Sequence, residues 1–368
     1  MFSRRLLPVV TSVAKSSIPE FKNPFVNNTF TLMTYNMLSP YYMWPQVYTY
    51  VPDKYKDWRY RHKLLEKEIL TVYKADIMCL QELTTKDYNS FWEPQLKSQI
   101  NYGSKFIAKT PPKYWSRPLN EMDGVGIFYN LDKFDYISSS SIYLNDLLGI
   151  FSINELKYLK STKITLTNGM GEPVGEDSLL NVLHGRNQVC LFVSLLHRDT
   201  KTMIVVVNTH LYWKYDEVKL SQCLTIMRKL NRIIKQLLMG REGATYSKIK
   251  ILFTGDLNST PDSLVVKFLK GDVVSHGGLN LVNPLRPYLN HFIYQDTSSA
   301  DFEHTCYSGK LKGIFDYVWY HDTDFKLKSI LSGKEVSAEL RHLNQFGLPN
   351  ENHPSDHIPV LTEFEILK

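Results

Sequence analysis

Polar side chains able to bind a metal or transfer protons follow several apolar runs of this chain. They are Asn36 after TFTLMTY, Glu82 after DIMCLQ, His210 after MIVVVNT, and Asp256 with Asn258 after IKILFTG. Later stretches add Asp316 in GIFDYVWY, and Asp356 with His357 in SDHIPVL. Any one of them could be a turn residue, because Asp and Asn bond their own backbone. As a set, strand ends of one sheet can converge on one cleft, where α/β folds bind ligands.

The chemistry open to this set is metal-assisted hydrolysis of a phosphate ester. Carboxylate and amide oxygens without thiolates suit Mg²⁺, which takes one or two carboxylates together with the phosphate oxygens of its substrate. An aspartate beside the metal can hold or deprotonate the attacking water, and histidines can donate hydrogen bonds to the developing charge. The residues therefore predict phosphodiester or phosphomonoester hydrolysis with Mg²⁺ as cofactor and Mn²⁺ as a substitute.

The elements that must position these residues alternate between strand and helix. Strands are predicted at TFTLMTYNML, ADIMCLQE, GVGIFYN, VCLFVSLLH, TMIVVVNTH, IKILFTGDLN, GIFDYVWY and IPVLTEFEI. An amphipathic helix is predicted over WRYRHKLLEKEILTVYK, because Leu65, Ile69 and Val72 recur at helical spacing. No repeat or strong linker divides the chain, so one α/β domain with helices over its sheets is expected.

Two further helices and two irregular stretches complete this prediction. A long helix is expected over about residues 217–238 and a short one near 263–269. Residues 138–141, four consecutive serines, are expected to be irregular, as is the glycine-bearing stretch NGMGEPVGED from Asn168. That stretch lacks the strand-then-helix context of a phosphate-binding loop.

Composition narrows the class of protein. The 368 residues are 43% hydrophobic and 22% charged, which is typical of a soluble globular protein. A net charge of +6 permits an anionic partner, such as RNA or a phosphorylated nucleotide, without requiring one. The four cysteines are far apart in the sequence, so a disulfide framework is not expected, and His304 with Cys306 is only a weak candidate for zinc.

The amino-terminal segment has a composition of its own. Residues 1–24 carry Arg4, Arg5 and Lys15 but no acidic residue before Glu20, and they are rich in serine. This composition predicts a mitochondrial targeting segment, with a disordered tail and a cytoplasmic protein as the alternative. Residues 25–368 are expected to form the domain, and no stretch is apolar enough for a membrane span.

The ordered motifs resemble those of a known superfamily. TYN, LQE, NTHLYW, GDLNSTPDS, GIFDY and SDH are similar to the motifs of endonuclease/exonuclease/phosphatase proteins. WKYDEVKLSQ, GDLNSTPDSLVVKFL and KGIFDYVWY resemble the branch of cytoplasmic deadenylases, nocturnin and Angel proteins, with Ngl-type proteins nearest. The similarity runs from about Phe30 to the carboxyl terminus. It implies the DNase-like four-layer αββα sandwich, in which two packed mixed sheets are flanked by helices.

The resemblance also implies roles for individual residues. It assigns Mg²⁺ binding to Glu82, helped by Asn36, with Asp356 beside the metal. It assigns water activation to Asp256, contacts with the water or phosphate to Asn258, contacts with the scissile phosphate to His210 and His357, and orientation of His357 to Asp316. None of these positions is replaced, which disfavours an inactive relative.

Substrate binding departs from the pattern of the branch. Deadenylases of this branch hold adenine between a proline after NTH and an aromatic residue before KG, and Tyr215 and Leu311 stand at those places here. Because Leu311 has no π face, strict poly(A) specificity is not expected. Arg186 and Gln188, in GRNQV, are candidate phosphate or ribose contacts.

Three functions follow from this reading. The first is a Mg²⁺-dependent phosphodiesterase acting on RNA, specifically a 3′ exoribonuclease resembling poly(A) nucleases. The second keeps the catalyst but removes a terminal phosphate from RNA or a nucleotide cofactor. The third is an inactive RNA-binding or translation-associated protein. No specific protein partner is predicted.

Overall fold

The computed structural model describes residues 4–9, 27–113, 115–239, 249–276, 279–286, 288–295, 302–309 and 311–368. Its strands are β1 (Leu6–Pro8), β2 (Thr29–Asn36), β3 (Ile77–Thr84), β4 (Tyr102–Ala108), β5 (Asp123–Asn130), β6 (Phe134–Tyr143), β7 (Lys163–Thr167), β8 (Pro173–Ser178), β9 (Val189–His197), β10 (Met203–His210), β11 (Ile249–Asp256), β12 (Val274–His276), β13 (Leu279–Leu281), β14 (His291–Phe292), β15 (Cys306–Tyr307), β16 (Lys312–Gly313), β17 (Asp316–Tyr320), β18 (Phe325–Leu331) and β19 (Val360–Ile366). Its helices are α1 (Asp53–Lys56), α2 (Trp58–Lys67), α3 (Thr85–Asp87), α4 (Glu93–Ile100), α5 (Ile153–Ser161), α6 (Leu179–His184), α7 (Asp216–Met239), α8 (Leu264–Lys270) and α9 (Lys334–His342).

Two mixed sheets hold most of these strands. The first has the order β1-β18-β19-β2-β3-β5-β4, and the second has the order β14-β17-β11-β10-β9-β6. The pairs β2–β3 and β10–β11 are parallel, and each needs a crossover between its strands. Helices α1 and α2 supply the first crossover, and α7 supplies the second. The carboxyl ends of two neighbouring strands therefore meet at one edge of each sheet.

The two sheets pack face to face around a buried apolar layer. Phe30 and Ile127 of the first sheet belong to one buried cluster with Val206 and Leu252 of the second. Because strand side chains alternate between faces, the outer faces are apolar as well and pack beneath helices. Helices α2 and α4 cover the first sheet, and α5 to α8 cover the second. The predicted four-layer αββα sandwich is confirmed.

The predicted apolar face of the first helix holds only in part. Leu65 and Ile69 are buried, whereas Val72 is 54% exposed. The α-helical part ends at Lys67, and the chain continues as a wider π-helical turn over Glu68–Tyr73. Since a π turn holds more residues per turn, it rotates the later positions away from the core.

Both stretches expected to be irregular contain strands. Residues 138–141 lie within β6, which pairs with β9 and has a register shift between Tyr136 and Ser138. The stretch from Asn168 forms the tip and second strand of a hairpin made by β7 and β8. Serine and glycine have low β propensity, so these segments form strands because they pair with a neighbouring strand.

Six residues of the segment 1–24 are described, residues 4–9, and the remainder lies outside the described residues. Within those six, Leu6–Pro8 pair antiparallel with β18 at the edge of the first sheet. The Arg4 side chain donates hydrogen bonds to the carbonyl oxygens of Ser332 and Pro359 at 2.6 and 2.8 Å. In the part of the chain that the structure covers, no helix has the length and apolarity needed to cross a membrane.

Candidate active site

The predicted polar residues lie where strands of both sheets end. Strand β2 ends at Asn36, β10 at His210 and β11 at Asp256, while Glu82 lies near the end of β3. In the register of the second sheet, His210 pairs with Asp256, and Asp256 pairs with Asp316, the first residue of β17. Strand pairing therefore places three of these side chains in one row across the sheet.

Two of these strand ends depart from regular β geometry. The register between β3 and β5 shifts between Gln81 and Leu83, and Glu82 has a φ of +56°. Such a backbone costs a non-glycine residue about 1–3 kcal/mol and is characteristic of functional positions. In β11, Gly255 has a φ of +139°, and a Cβ atom there would lie 1.9 Å from the carbonyl oxygen of Thr209. Glycine is thus required immediately before the catalytic candidate of this strand.

The carboxylate of Asp256 is the centre of the site. Its Oδ2 atom accepts a hydrogen bond from Asn36 Nδ2 at 3.0 Å. The same atom lies 3.5 Å from Nε2 of His210 and 3.6 Å from Nε2 of His357. Its Oδ1 atom accepts the backbone N–H of Asn258 at 2.9 Å. Burial raises the pKa of Asp256 to about 6, so this carboxylate can accept a proton from water near neutral pH.

His357 is held in place by a second aspartate. Its Nδ1 atom lies 2.8 Å from Oδ2 of Asp316, with both groups buried. Burial alone would lower the pKa of His357, but the charges of Asp316 and Asp256 and the hydrogen bond to Asp316 raise it well above its usual value. The raised pKa favours the imidazolium form of His357, whose Nε2 atom lies 3.6 Å from Oδ2 of Asp256.

His210 has the opposite protonation state. Burial, followed by the charges of Lys109 and His357, lowers the pKa of His210 well below its usual value. Its Nδ1 atom lies 3.9 Å from Oε1 of Glu82 and has no hydrogen-bond partner among the described residues. The site thus presents one charged and one neutral histidine to the same carboxylate.

Glu82 and Asp256 fit a divalent cation. Burial raises the pKa of Glu82 to about 7, with the Asp123 charge adding to the effect and Lys109 opposing it. Two buried carboxylates whose charged forms are disfavoured are stabilised by a nearby cation. Their hard oxygen atoms suit Mg²⁺ or Mn²⁺ better than a soft metal. The residues present therefore fit the divalent metal expected from the sequence, with Glu82 as the residue that would hold it beside Asp256.

Asn36 presents its amide nitrogen to the acids. Its Nδ2 atom donates to Oε1 of Glu82 at 3.1 Å as well as to Asp256, while its Oδ1 atom accepts the backbone N–H of Leu38 at 3.0 Å. In this orientation Asn36 aligns the two carboxylates. Metal binding through Oδ1 would require the amide to flip and give up the Leu38 bond, so that role stays a prediction.

Asp356 lies beside His357. Its Oδ2 atom accepts the hydroxyl of Tyr48 at 2.8 Å, and ligand atoms of Cys306, Asp356 and His357 lie within 4.8 Å of one another. His304, which with Cys306 was the weak zinc candidate, belongs to neither group of clustered ligand atoms found in the described residues. Asp356 thus borders the site, and its predicted metal role stays a prediction.

A buried ion pair beside Glu82 was missed from the sequence. Nζ of Lys109 lies 2.7 Å from Oδ2 of Asp123, and Oδ1 of Asp123 accepts the hydroxyl of Tyr42 at 2.6 Å. The Lys109 charge acts on the pKa values of both Glu82 and His210. Both members flank apolar runs, FIA and GVGIF, as the catalytic candidates do. Charged residues in that position are usually exposed to solvent, so the sequence alone does not indicate that these two are buried.

Arg61 is a second buried charge that the sequence conceals. Its Nη1 atom donates to the carbonyl oxygens of Leu38 and Pro354 at 2.8 and 3.0 Å. Burial lowers its pKa to about 10, and the charge of Asp356 opposes that effect. Arg61 therefore joins the segment after β2 to the segment that carries Asp356. In the sequence it looks like one more residue on the charged face of α2.

The three candidate substrate residues lie together but outside the catalytic cluster. The Arg186 guanidinium lies 4.8 Å over the Tyr212 ring and donates to the Tyr212 hydroxyl at 3.3 Å. Gln188 accepts a hydrogen bond from Gln222 at 3.0 Å. The Tyr215 hydroxyl accepts the backbone N–H of residue 167, in the β7–β8 hairpin, at 3.1 Å. No described hydrogen bond joins these three residues to the catalytic groups, so their roles stay predictions.

Comparison with known proteins identifies the family of this chain. A model of the Endonuclease/Exonuclease/phosphatase family matches residues 33–357. The chain is 65% identical over 367 residues to RNA exonuclease NGL1 of Saccharomyces cerevisiae, with 100% of each chain covered. It is 29% identical to the CCR4-Not complex 3′-5′-exoribonuclease subunit Ccr4 of Candida albicans over 94% of this chain and 42% of that protein. The crystal structure of ANGEL2, a 2′,3′-cyclic phosphatase, in complex with adenosine-2′,3′-vanadate covers 92% of this chain and 96% of its own at 22% identity, with a TM-score of 0.66. The chain therefore belongs to the endonuclease/exonuclease/phosphatase family of hydrolases.

Proposed function

We propose that this protein is a Mg²⁺-dependent 3′ exoribonuclease. The observation that carries the proposal is the carboxylate of Asp256, placed 3.5 Å from neutral His210 and 3.6 Å from charged His357. Full-length similarity to a protein named an RNA exonuclease supports RNA as the substrate. Similarity to a 3′-5′-exoribonuclease subunit supports attack from the 3′ end.

The residues of the site divide the reaction between them. A divalent cation held by Glu82 beside Asp256 would neutralise phosphate charge and lower the pKa of water. Asp256 accepts the proton of the attacking water. His357 donates its Nε2 proton in a hydrogen bond to a non-bridging phosphate oxygen, where negative charge develops. Water oxygen bonds to phosphorus, the bond from phosphorus to the upstream 3′ oxygen breaks, and that oxygen takes a proton from solvent as a nucleoside 5′-monophosphate leaves.

A phosphatase acting on a terminal phosphate would use the same groups. The observation that favours keeping this alternative is Leu311, which is aliphatic and 44% exposed at the place where deadenylases of the resembling branch carry an aromatic ring. Without a π face on that side, grip on a terminal adenine is weaker. The complete catalytic set argues against an inactive RNA-binding protein.

The test uses the full chain, a 5′-labelled RNA and three 3′ ends: mixed sequence, poly(A) and a 3′ phosphate. We expect a Mg²⁺-dependent ladder that EDTA abolishes and that Glu82→Gln lowers by at least about a hundredfold. Asp76→Asn is the matched control, because Asp76 is equally buried just before β3, at the opposite end from Glu82, and pairs with Lys133. Release of the terminal phosphate without a ladder would contradict the exonuclease proposal and support the phosphatase alternative.

We further propose a mitochondrial location, supported by the arginine- and serine-rich, acid-poor composition of residues 1–24. A fluorescent protein fused behind residues 1–24 should enter mitochondria, and changing Arg4 and Arg5 to glutamate should prevent entry. Diffuse cytoplasmic fluorescence of the unmodified fusion would contradict the proposal.

A further inference from the structure

Four aromatic rings and one arginine lie on two segments next to the site. Tyr41, Tyr42 and Trp44 belong to the segment that follows β2, and Trp115 and Arg117 belong to the loop between β4 and β5. We call these five residues the aromatic rim. Neither the catalytic cluster nor the candidate substrate residues near Tyr215 include any of them.

The aromatic rim is anchored directly to the metal-binding acid. The backbone N–H of Ser39, two residues before Tyr41, donates to Oε2 of Glu82 at 2.8 Å. Tyr42 donates to Asp123, the partner of Lys109, whose charge acts on Glu82. Nζ of Lys109 also lies 5.4 Å from the centre of the Tyr42 ring. The rim is therefore continuous with the catalytic site.

The rings are arranged in two pairs, in which Trp44 is exposed and the other three rings are partly buried. Trp44 packs edge-on to Tyr42 with ring centres 5.7 Å apart, and Trp44 is 47% exposed. Trp115 packs edge-on to Tyr41 with ring centres 6.0 Å apart. The exposed ring of Trp44 offers a surface of the kind on which nucleic-acid bases stack.

A cation accompanies the rings. The Arg117 guanidinium lies 4.8 Å from the centre of the Tyr41 ring, and its side chain is 56% exposed. Nη1 of Arg117 forms an ion pair with the Glu121 carboxylate at 3.8 Å, and Glu121 also bonds to the Tyr41 hydroxyl. The guanidinium therefore keeps donors for a phosphate. Aromatic faces beside cations are the combination that binds single-stranded nucleic acid.

We propose that the aromatic rim binds the bases of the RNA substrate on the 5′ side of the scissile phosphate. This inference rests on the proposed function, since a 3′ exonuclease must hold the strand that remains after each cleavage. Stacking on the rim is independent of base identity, because every base has a π face. The rim thus contributes to binding of the RNA strand, although Leu311 weakens recognition of a terminal adenine.

The test compares substrates of two lengths with the full chain. One is a dinucleotide, and the other is an RNA of about twelve nucleotides with the same 3′ end, long enough to cover a single-strand site. We expect Trp44→Ala/Trp115→Ala to raise KM for the long RNA by roughly tenfold or more for each stacked base lost. The corresponding change for the dinucleotide, which has only one base on the 5′ side of its phosphate, should be at least about tenfold smaller.

Tyr136→Ala is the matched control for the rim variant. Like the rim residues, Tyr136 is an aromatic residue with a cation nearby: it is 41% exposed, and Nζ of Lys105 lies 4.6 Å from its ring centre. It lies in β6, near the end of the second sheet that is opposite to the site. It should leave KM unchanged for both substrates. An unchanged KM for the long RNA in the rim variant, or an equal loss on both lengths, would overturn the inference.

Direct binding separates failure of the inference from failure of the proposed function. If the wild-type protein hydrolyses neither substrate, the proposed function fails, yet the same long RNA can still be titrated in EDTA. Binding that the rim variant loses and Tyr136→Ala keeps would support the rim as an RNA site. Equal binding by all three proteins would overturn it.

Discussion

Two histidines face one carboxylate in this site, and their surroundings give them different charges. His357 has Asp316 behind its Nδ1 atom at 2.8 Å, whereas Nδ1 of His210 has no hydrogen-bond partner among the described residues. The pKa of the first is raised and that of the second is lowered. One charged and one neutral histidine can therefore contact the phosphate, and only one of them carries the free-energy cost of a buried charge.

At this scale we expect Asp316→Asn to change the pH profile of the reaction. Asp316 raises the pKa of His357, so its removal lets the ring lose its proton at lower pH. The alkaline limb of the profile should then move to lower pH, and kcat should fall by about 10²- to 10⁴-fold near neutral pH. Steady-state rates measured across pH check this, and loss of activity with an unmoved alkaline limb would contradict it.

At the scale of elements, the close approach of β10 and β11 depends on Gly255. We expect Gly255→Ala to lower the free energy of unfolding by about 3 kcal/mol or more, because its Cβ atom would meet a backbone oxygen and its φ is unsuited to alanine. Urea unfolding measures the change. Gly169→Ala, where the added atom meets nothing within 4 Å, is the control and should cost little. Equal effects of both substitutions would contradict this account of β11.

The elements also show what the sequence can and cannot predict. The apolar runs that end in Asn36, His210 and Asp256 predicted both the strands and the place of the site. Both predictions rest on local patterns in the sequence, namely apolar runs and the polar residues that follow them. Lys109 and Arg61 were missed, since their burial depends on contacts far away in the sequence. The strand through the serine run and the π turn after α2 were missed for the same reason, as partner strands and packing decide them.

At the scale of the whole molecule, a buried polar contact joins the two sheets beneath the site. Nε2 of Gln81, in β3, donates to Oδ1 of Asn208, in β10, at 2.7 Å. Asn208 in turn donates to the carbonyl oxygens of Leu80 and Gly126 in the first sheet. Since the catalytic groups come from both sheets, this contact fixes their relative position.

We expect Asn208→Leu to lower the free energy of unfolding by about 1–3 kcal/mol for each buried group left without a partner. It should also reduce kcat, since the two halves of the site are no longer held in register. Urea unfolding and RNA hydrolysis measure the two effects. Asn181→Leu on the exposed face of α6 is the control and should change stability by less than about 0.5 kcal/mol. Unaltered stability of Asn208→Leu would show that the contact does not hold the sheets.

The central claim is that Asp256 is the catalytic base of a metal-dependent hydrolase. The most direct measurement is the single-turnover rate of RNA cleavage by Asp256→Asn with saturating Mg²⁺, beside the wild-type chain and Asp76→Asn. The account predicts a fall of about 10³-fold or more for Asp256→Asn, with stability kept and the control nearly as active as the wild type. A fall of less than about tenfold would contradict it, because a base removed from the reaction must cost more than that.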